Sequence, residues 1–183
     1  MSLRFGLALA AGALVAFAGL AACSGDDGQP EPPASLPADF ALTYTWQEGS
    51  LPPPGHYEYT ITLDHEGHGE IVMVPDYSFN APPQWRETFS LTPAELDGVY
   101  RSLVKRGLFT TDWRSRDDGS AGGAVDSLEA VAGGRTVRVE SPVVEKQADD
   151  WERVAKTIND IVPRETWAKL NGLREQYANE HRR

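Results

Sequence analysis

From Phe40 onward the chain alternates between apolar and polar positions. Phe40, Leu42, Tyr44 and Trp46 fall on one side of an extended segment and Ala41, Thr43 and Thr45 on the other, the period of two that a strand with one buried face requires. The same period returns at His56–Leu63, where Tyr57, Tyr59, Ile61 and Leu63 face inward and His56, Glu58, Thr60 and Thr62 face outward. Glu70–Val74 is a third strand, reached through Asp64-His65-Glu66-Gly67-His68-Gly69, and Trp85–Ser90 is a fourth. The period then changes. Leu96, Val99, Tyr100, Leu103 and Val104 repeat at the spacing of one helical stripe. Thr92, Pro93 and Glu95 predict a capping box with proline at the first helical position, and Leu91 is placed to staple onto Leu96. Gly107 followed by Leu108 predicts a Schellman end. Val125–Ala132 and Arg135–Glu140 flank Gly133-Gly134, a hairpin with a two-residue turn. Trp151, Val154, Ala155 and Ile158 mark a second helix; a third starts with Pro163 at its first position and carries Trp167, Leu170, Leu173 and Tyr177 on its apolar side.

Strands, a helix, a hairpin and two helices, in that order, predict an α+β fold: a mostly antiparallel sheet of about five to six strands with three helices packed on it. The chain of 183 residues suits one such domain, over residues 40–183. Trp46, Trp151 and Trp167 sit on apolar faces and are expected in the core.

The first residues follow another rule. Arg4 precedes an apolar run, Phe5–Leu20, that ends in Leu20-Ala21-Ala22-Cys23. The run falls short of the ~20 apolar residues of an ordinary membrane-spanning helix and has the anatomy of a signal peptide. Leu20-Ala21-Ala22-Cys23 resembles the lipobox of bacterial lipoproteins, which implies cleavage after residue 22 and acylation of Cys23 as the new N-terminus. Cys23 is the one cysteine of the chain, so no disulfide within the chain competes with that reading. A plain cleaved signal and an uncleaved anchor are the alternatives. Ser24 at the following position implies, for a Gram-negative source, sorting to the outer membrane. Residues 23–39, from the lipidated cysteine through a proline-bearing stretch without apolar periodicity, are expected to be a disordered tether.

Charge narrows the partners. Lys and Arg number 17 against 27 Asp and Glu, a net charge of −10, which repels phosphate backbones; nucleic acid is excluded as a partner. The membrane is expected to be met through the N-terminal lipid, and an envelope protein or a glycan is the expected further partner.

Candidate chemistry is sparse. Asp64–Glu70 is the densest polar cluster, and His65, His68 and Glu66 are its candidate ligands for Zn²⁺ or Cu²⁺. The two histidines are three apart, unlike the helical His-Glu-x-x-His of zinc proteases. The same residues make a turn in which Asp64 caps the bend and Gly67 and Gly69 take special dihedrals, and this reading is preferred because nothing closes a coordination shell. No nucleophile elbow or phosphate loop is present, Ser120 lies in a polar glycine-rich loop, and Asp117-Asp118-Gly119 lacks the acid spacing of a calcium loop. No catalytic residue and no cofactor is therefore assigned. Two loops, Leu51–Gly55 and Tyr77–Trp85, combine prolines with apolar or aromatic residues and suit recognition, or else shield sheet edges. Trp85 and Trp113 are the candidates for stacking on a glycan.

Over about Phe40–Ile161 the element order, the helix ending in Arg106-Gly107-Leu108-Phe109 and the later Gly133-Gly134 hairpin resemble, in pattern, small bacterial domains of unknown function and emfourin-type metalloprotease inhibitors. That resemblance transfers no functional residue. The expectation is an envelope lipoprotein, non-enzymatic, presenting a sheet edge and loops to another envelope component; a metalloprotease inhibitor, or a metal-binding or hydrolytic envelope enzyme, is the alternative.

Overall fold

The computed structural model describes residues 31–52, 54–116 and 123–182. Six strands form one antiparallel sheet: β1 (Ala41–Gln47), β2 (Glu58–Asp64), β3 (His68–Val74), β4 (Trp85–Ser90), β5 (Val125–Ala132) and β6 (Arg135–Glu140), in the spatial order β4-β3-β2-β1-β5-β6. Helices α1 (Pro93–Lys105), α2 (Glu145–Asn159) and α3 (Arg164–His181) complete the α+β fold. Each strand offers its apolar set to one face. Leu42, Tyr44, Ile61, Leu63, Ile71, Met73, Leu128, Ala130 and Val139 meet Leu96, Tyr100, Leu103, Trp151, Val154, Ile158 and Leu170 from the helices in a single core. Burial of each large aliphatic side chain there stabilises the fold by about 1.5–3 kcal/mol. The opposite face is polar, with Thr43 paired to Thr62 and Thr45 to Thr60 across β1 and β2 and Glu129 to Arg138 across β5 and β6. Among the described residues no helix is long and apolar enough to cross a membrane.

The local signals set the element ends. Thr92 Oγ1 accepts from the Glu95 amide and the Glu95 carboxylate accepts from the Thr92 amide, the expected capping box. At the other end the Leu108 amide reaches the Leu103 carbonyl (3.1 Å) and the Gly107 amide the Val104 carbonyl (2.9 Å), the expected Schellman pair. Gly133 and Gly134 take φ of +62° and +76°, the two left-handed residues that a twisted two-residue hairpin needs. Pro163 caps α3 from outside; the helix starts at Arg164, one residue later than expected. Strand β3 starts two residues earlier than expected, at His68, which pairs with Ser90.

The stretch from Glu31 to Asp39, expected to be part of a loose tether, is held on the body. Tyr100 Oη donates to the Pro33 carbonyl (2.8 Å), Leu36 packs on the core, and the Asp39 carboxylate accepts from the Gly133 (2.7 Å) and Gly134 (2.6 Å) amides. Those two amide bonds hold the Asp39 carboxyl below the usual aspartate range. The N-terminal segment thus enters at the end of the sheet that holds the Gly133-Gly134 turn. The connections after Gln47, after Val74 and before Val125 lie at the other end, about 20 Å of strand away.

Candidate functional site

That far end gathers the proline-bearing loops. Tyr77 Oη donates to the Leu51 carbonyl (2.8 Å), so the two loops singled out by composition meet. Asp76 organises the second loop: its carboxylate accepts from the Tyr77 amide (2.6 Å) and the Asn80 side chain (3.2 Å). His56, expected to point outward, is only 4 % exposed, because β2 begins two residues later and the bend before it slides the imidazole under Tyr77. Three rings stack in series, His56 on Tyr77 (3.8 Å, 5°) and Tyr77 on Phe79 (5.2 Å, 16°). The series ends in solvent, since Phe79 is 79 % exposed, and Leu51 close by is 46 % exposed. Large apolar side chains held in water by a rigid loop form a contact surface that loses little entropy on binding.

Beside the loops lie two shallow cavities that share Arg116, Ala124 and Pro142. One, of about 310 Å³, is lined by Glu48, His56, Tyr77 and Val125. The other, of about 530 Å³, opens between the sheet and α2. Its floor is a connected network: Asp126 accepts from Tyr44 Oη (2.7 Å) and Trp151 Nε1 (2.9 Å), and Asn159 accepts from Tyr59 Oη (2.7 Å). Burial, and for Tyr44 also the Asp126 charge, pushes both phenols well above the ordinary tyrosine range. They are therefore fixed donors rather than bases. Lys156 lines the mouth and is held by Asp160 (2.6 Å). Chemically this floor can orient a polar ligand through the lone pairs that Asp126 and Asn159 retain, and it contains no activated nucleophile.

Sequence reasoning missed this network. The available signal was Asp126, a carboxylate on the inward side of β5 directly across from Trp46 and two residues from Leu128, the partner of Tyr44. Trp46, expected in the core, is half-buried at the cavity mouth and stacks on Tyr59 (5.3 Å, 17°). Trp151 is buried as expected, and Trp167 is half-buried, edge-on to Tyr59. The two glycan candidates are both half-buried. Trp85 is half-buried against the core and edge-on to Tyr177, and Trp113 donates its Nε1 proton to the Leu108 carbonyl (3.0 Å) and packs edge-on against Trp151.

The β2–β3 turn sits at the opposite end, beside the start of α1. There the structure brings ligand atoms of Asp64, Glu66 and His68 within 4.8 Å of one another, whereas His65 is not part of the group. Its geometry is that of a turn. Asp64 Oδ1 accepts from the Glu66 and His68 amides (both 2.9 Å), and His68 Nδ1 lies 3.3 Å from Asp64 and 3.4 Å from Glu66. Desolvation raises the Asp64 carboxyl, but the bonds from His68 and Glu66 outweigh it and hold it below the usual range. Gly67 has the left-handed φ expected of it (+86°); Gly69 does not, and is glycine because a Cβ there would run into the Phe89 ring. Cys23, Ser24 and the loop residues Asp117, Asp118, Gly119 and Ser120 lie outside the described residues. No protein-family model matches the chain, and no curated protein matches it.

Proposed function

We propose that the chain is a lipid-anchored protein of the cell envelope whose folded body is a non-enzymatic binding module, tethered through Cys23 and recognising an envelope protein or glycan with its loop end. The observation that carries this reading is polarity of the fold. The N-terminal segment is fastened by Asp39 and Pro33 beside the Gly133-Gly134 turn, while the exposed Phe79 and Leu51 stand at the other end of the sheet. A tether on one end and a rigid aromatic loop on the other suit display away from a membrane. The inward hydroxyls of Tyr44 and Tyr59 hold structure and supply no base, in keeping with binding rather than catalysis.

The test uses the full chain expressed in a bacterial host. Mass spectrometry of the membrane fraction is expected to find Cys23 as an acylated N-terminus, and Cys23→Ala is expected to lose the acyl groups and leave the membrane fraction. An unmodified Cys23 in mature protein would overturn the anchor. In parallel, in-cell cross-linking is expected to capture one envelope component with the native chain and not with the double variant Leu51→Ser, Phe79→Ser. Equal capture by both would overturn the loop end as the recognition surface.

A further inference from the structure

The cavity of about 530 Å³ between the sheet and α2 falls within the size range of small-molecule sites, about 300–1,000 Å³, and four aromatic residues line it. Tyr44 and Trp46 come from β1, Tyr59 from β2 and Trp151 from α2. The sheet supplies three of these rings because positions two apart in β1 share a face and Trp46 is in register with Tyr59. Helix α2 meets them with Ala148 and Ala155, one turn to either side of Trp151, and these small side chains leave the space open. Between the rings sits a carboxylate. Asp126 accepts one hydrogen bond on each oxygen, from Tyr44 Oη (2.7 Å) and Trp151 Nε1 (2.9 Å). Both donors are neutral, so they orient the carboxylate without cancelling its charge, and among the described residues no cation pairs with it. The other charged groups lining the cavity are Glu152, Lys156 and Arg116, all exposed at the mouth. Lys156 is tied to Asp160 (2.6 Å) and Arg116 is already engaged, whereas Glu152 has no cation partner among the described residues. The chain thus leaves two acids of this cavity without a counter-charge, one of them at the floor, while both bases have partners.

We infer that this cavity is a binding site for a quaternary ammonium ion, drawn in by the Asp126 charge and enclosed by Tyr44, Trp46, Tyr59 and Trp151. Electron-rich rings attract a cation whose charge is spread over methyl groups, and the attraction grows as water is excluded. The hydrogen-bonding capacity of the floor selects among cations. A primary ammonium needs acceptors for three N–H groups, but Asp126 and Asn159 already spend lone pairs on Tyr44, Trp151 and Tyr59. A divalent metal ion asks for about six oxygen ligands, which aromatic walls do not supply. A quaternary ammonium makes neither demand, and its apolar envelope suits the rings and the two alanines of α2. The same chemistry is carried by dissolved small molecules and by the headgroup of a choline lipid. The inference goes beyond the loop end and the lipid anchor, and neither is needed for it.

The probe is choline, titrated into the full chain in a non-ionic detergent and read by tryptophan fluorescence, to which Trp46 and Trp151 of the cavity contribute. A saturable change is expected. The uncharged isostere 3,3-dimethyl-1-butanol, with carbon in place of nitrogen, is expected to bind about tenfold more weakly or worse. Asp126→Asn keeps the shape of the floor and removes its charge, and is expected to weaken choline by about tenfold or more, with Thr43→Ala, on the opposite face of the sheet, within about twofold of the native chain. The comparison of choline with its isostere uses the native chain alone and stands even where Asp126→Asn fails to fold. Phosphocholine separates the two sources: affinity kept with the phosphate attached points to a lipid headgroup and affinity lost to a dissolved cation, and either result supports the site. Absence of saturable choline binding, equal binding of the isostere, or unchanged affinity in folded Asp126→Asn would overturn the inference. None of these outcomes bears on the acylation of Cys23 or on capture through Phe79.

Discussion

Asp126 shows how much one residue decides. It lies on the inward face of β5, where its neighbours Leu128 and Ala130 are buried, and its carboxylate joins sheet to helix by accepting from Tyr44 on β1 and Trp151 on α2. A buried donor left without its acceptor costs about 1–3 kcal/mol, so Asp126→Ala, which strands two donors, is expected to lower stability by about 2–4 kcal/mol in urea unfolding. Asp126→Asn keeps one acceptor and is expected to lose roughly half of that. Equal stability of Asp126→Ala and the native chain would show that the network contributes nothing. The phenols supply a pH signature. Their raised values mean that the ionised form is disfavoured in the fold, so their contribution is present below the ordinary tyrosine pKa of about 10 and is lost as pH rises beyond it. Phenolate absorbance from Tyr44 and Tyr59 is therefore expected to appear only together with loss of the circular dichroism of the fold. Phenolate from either residue in folded protein would contradict the burial of their hydroxyls.

Elements are joined here by carboxylates acting on backbone amides. Asp39 binds the Gly133-Gly134 turn, Asp64 the β2–β3 turn and Glu95 the start of α1, and in each case those bonds hold the carboxyl below its usual range; for Glu95 the Thr92 hydroxyl and amide do so. A lowered folded pKa gives stability that is present at neutral pH and is lost as pH falls below about 4 through the lowered value. The triple variant Asp39→Asn, Asp64→Asn, Glu95→Gln is expected to melt below the native chain near neutral pH and to have a flatter acid limb, the two melting curves approaching each other as the pH falls through the lowered values of the three carboxyls. Parallel melting temperatures across that range would mean that these caps are not linked to folding. The same three contacts explain why the hairpin, the turn and α1 keep their ends where local chemistry sets them.

The whole molecule is a sheet covered on one face only, and neighbouring residues of a strand therefore have different fates. Leu42 is 3 % exposed beneath the helices and Thr43, next in β1, looks into water. Leu42→Ala is expected to cost about 2–5 kcal/mol and Thr43→Ala to stay within about 0.5 kcal/mol, read from denaturant midpoints. Comparable losses at both positions would mean that something covers the polar face. One face lies under α1, α2 and α3, and the other, made of threonines and paired charges, carries shallow hollows of about 330 and 430 Å³ beside Thr45.

Much of the architecture was legible because its signals span only a few residues. Alternation of period two placed the inward residues of β1, the capping box and Schellman end bounded α1, and Gly133-Gly134 fixed the β5–β6 register to the residue. The site was less legible, and for one reason: its contacts join residues far apart in the chain. Sequence offered the two proline-bearing loops as surfaces, but only folding brought Tyr77 to Leu51 and drew His56 under it. It offered Trp85 and Trp113 as stacking faces, and folding set each half-buried ring edge-on to a helix residue, Tyr177 of α3 and Trp151 of α2. It offered His65 as a ligand, and the turn grouped Asp64 with Glu66 and His68 instead. The sequence alone determined the strand faces, the helix caps, the hairpin turn and the acidic balance, since each depends on residue type and near neighbours. Only the tertiary structure decided that β5 lies beside β1, that Asp39 reaches across to Gly133, and that one sheet edge is flanked by α3 while the other borders a groove, because burial against distant residues selects among pairings that are locally equivalent.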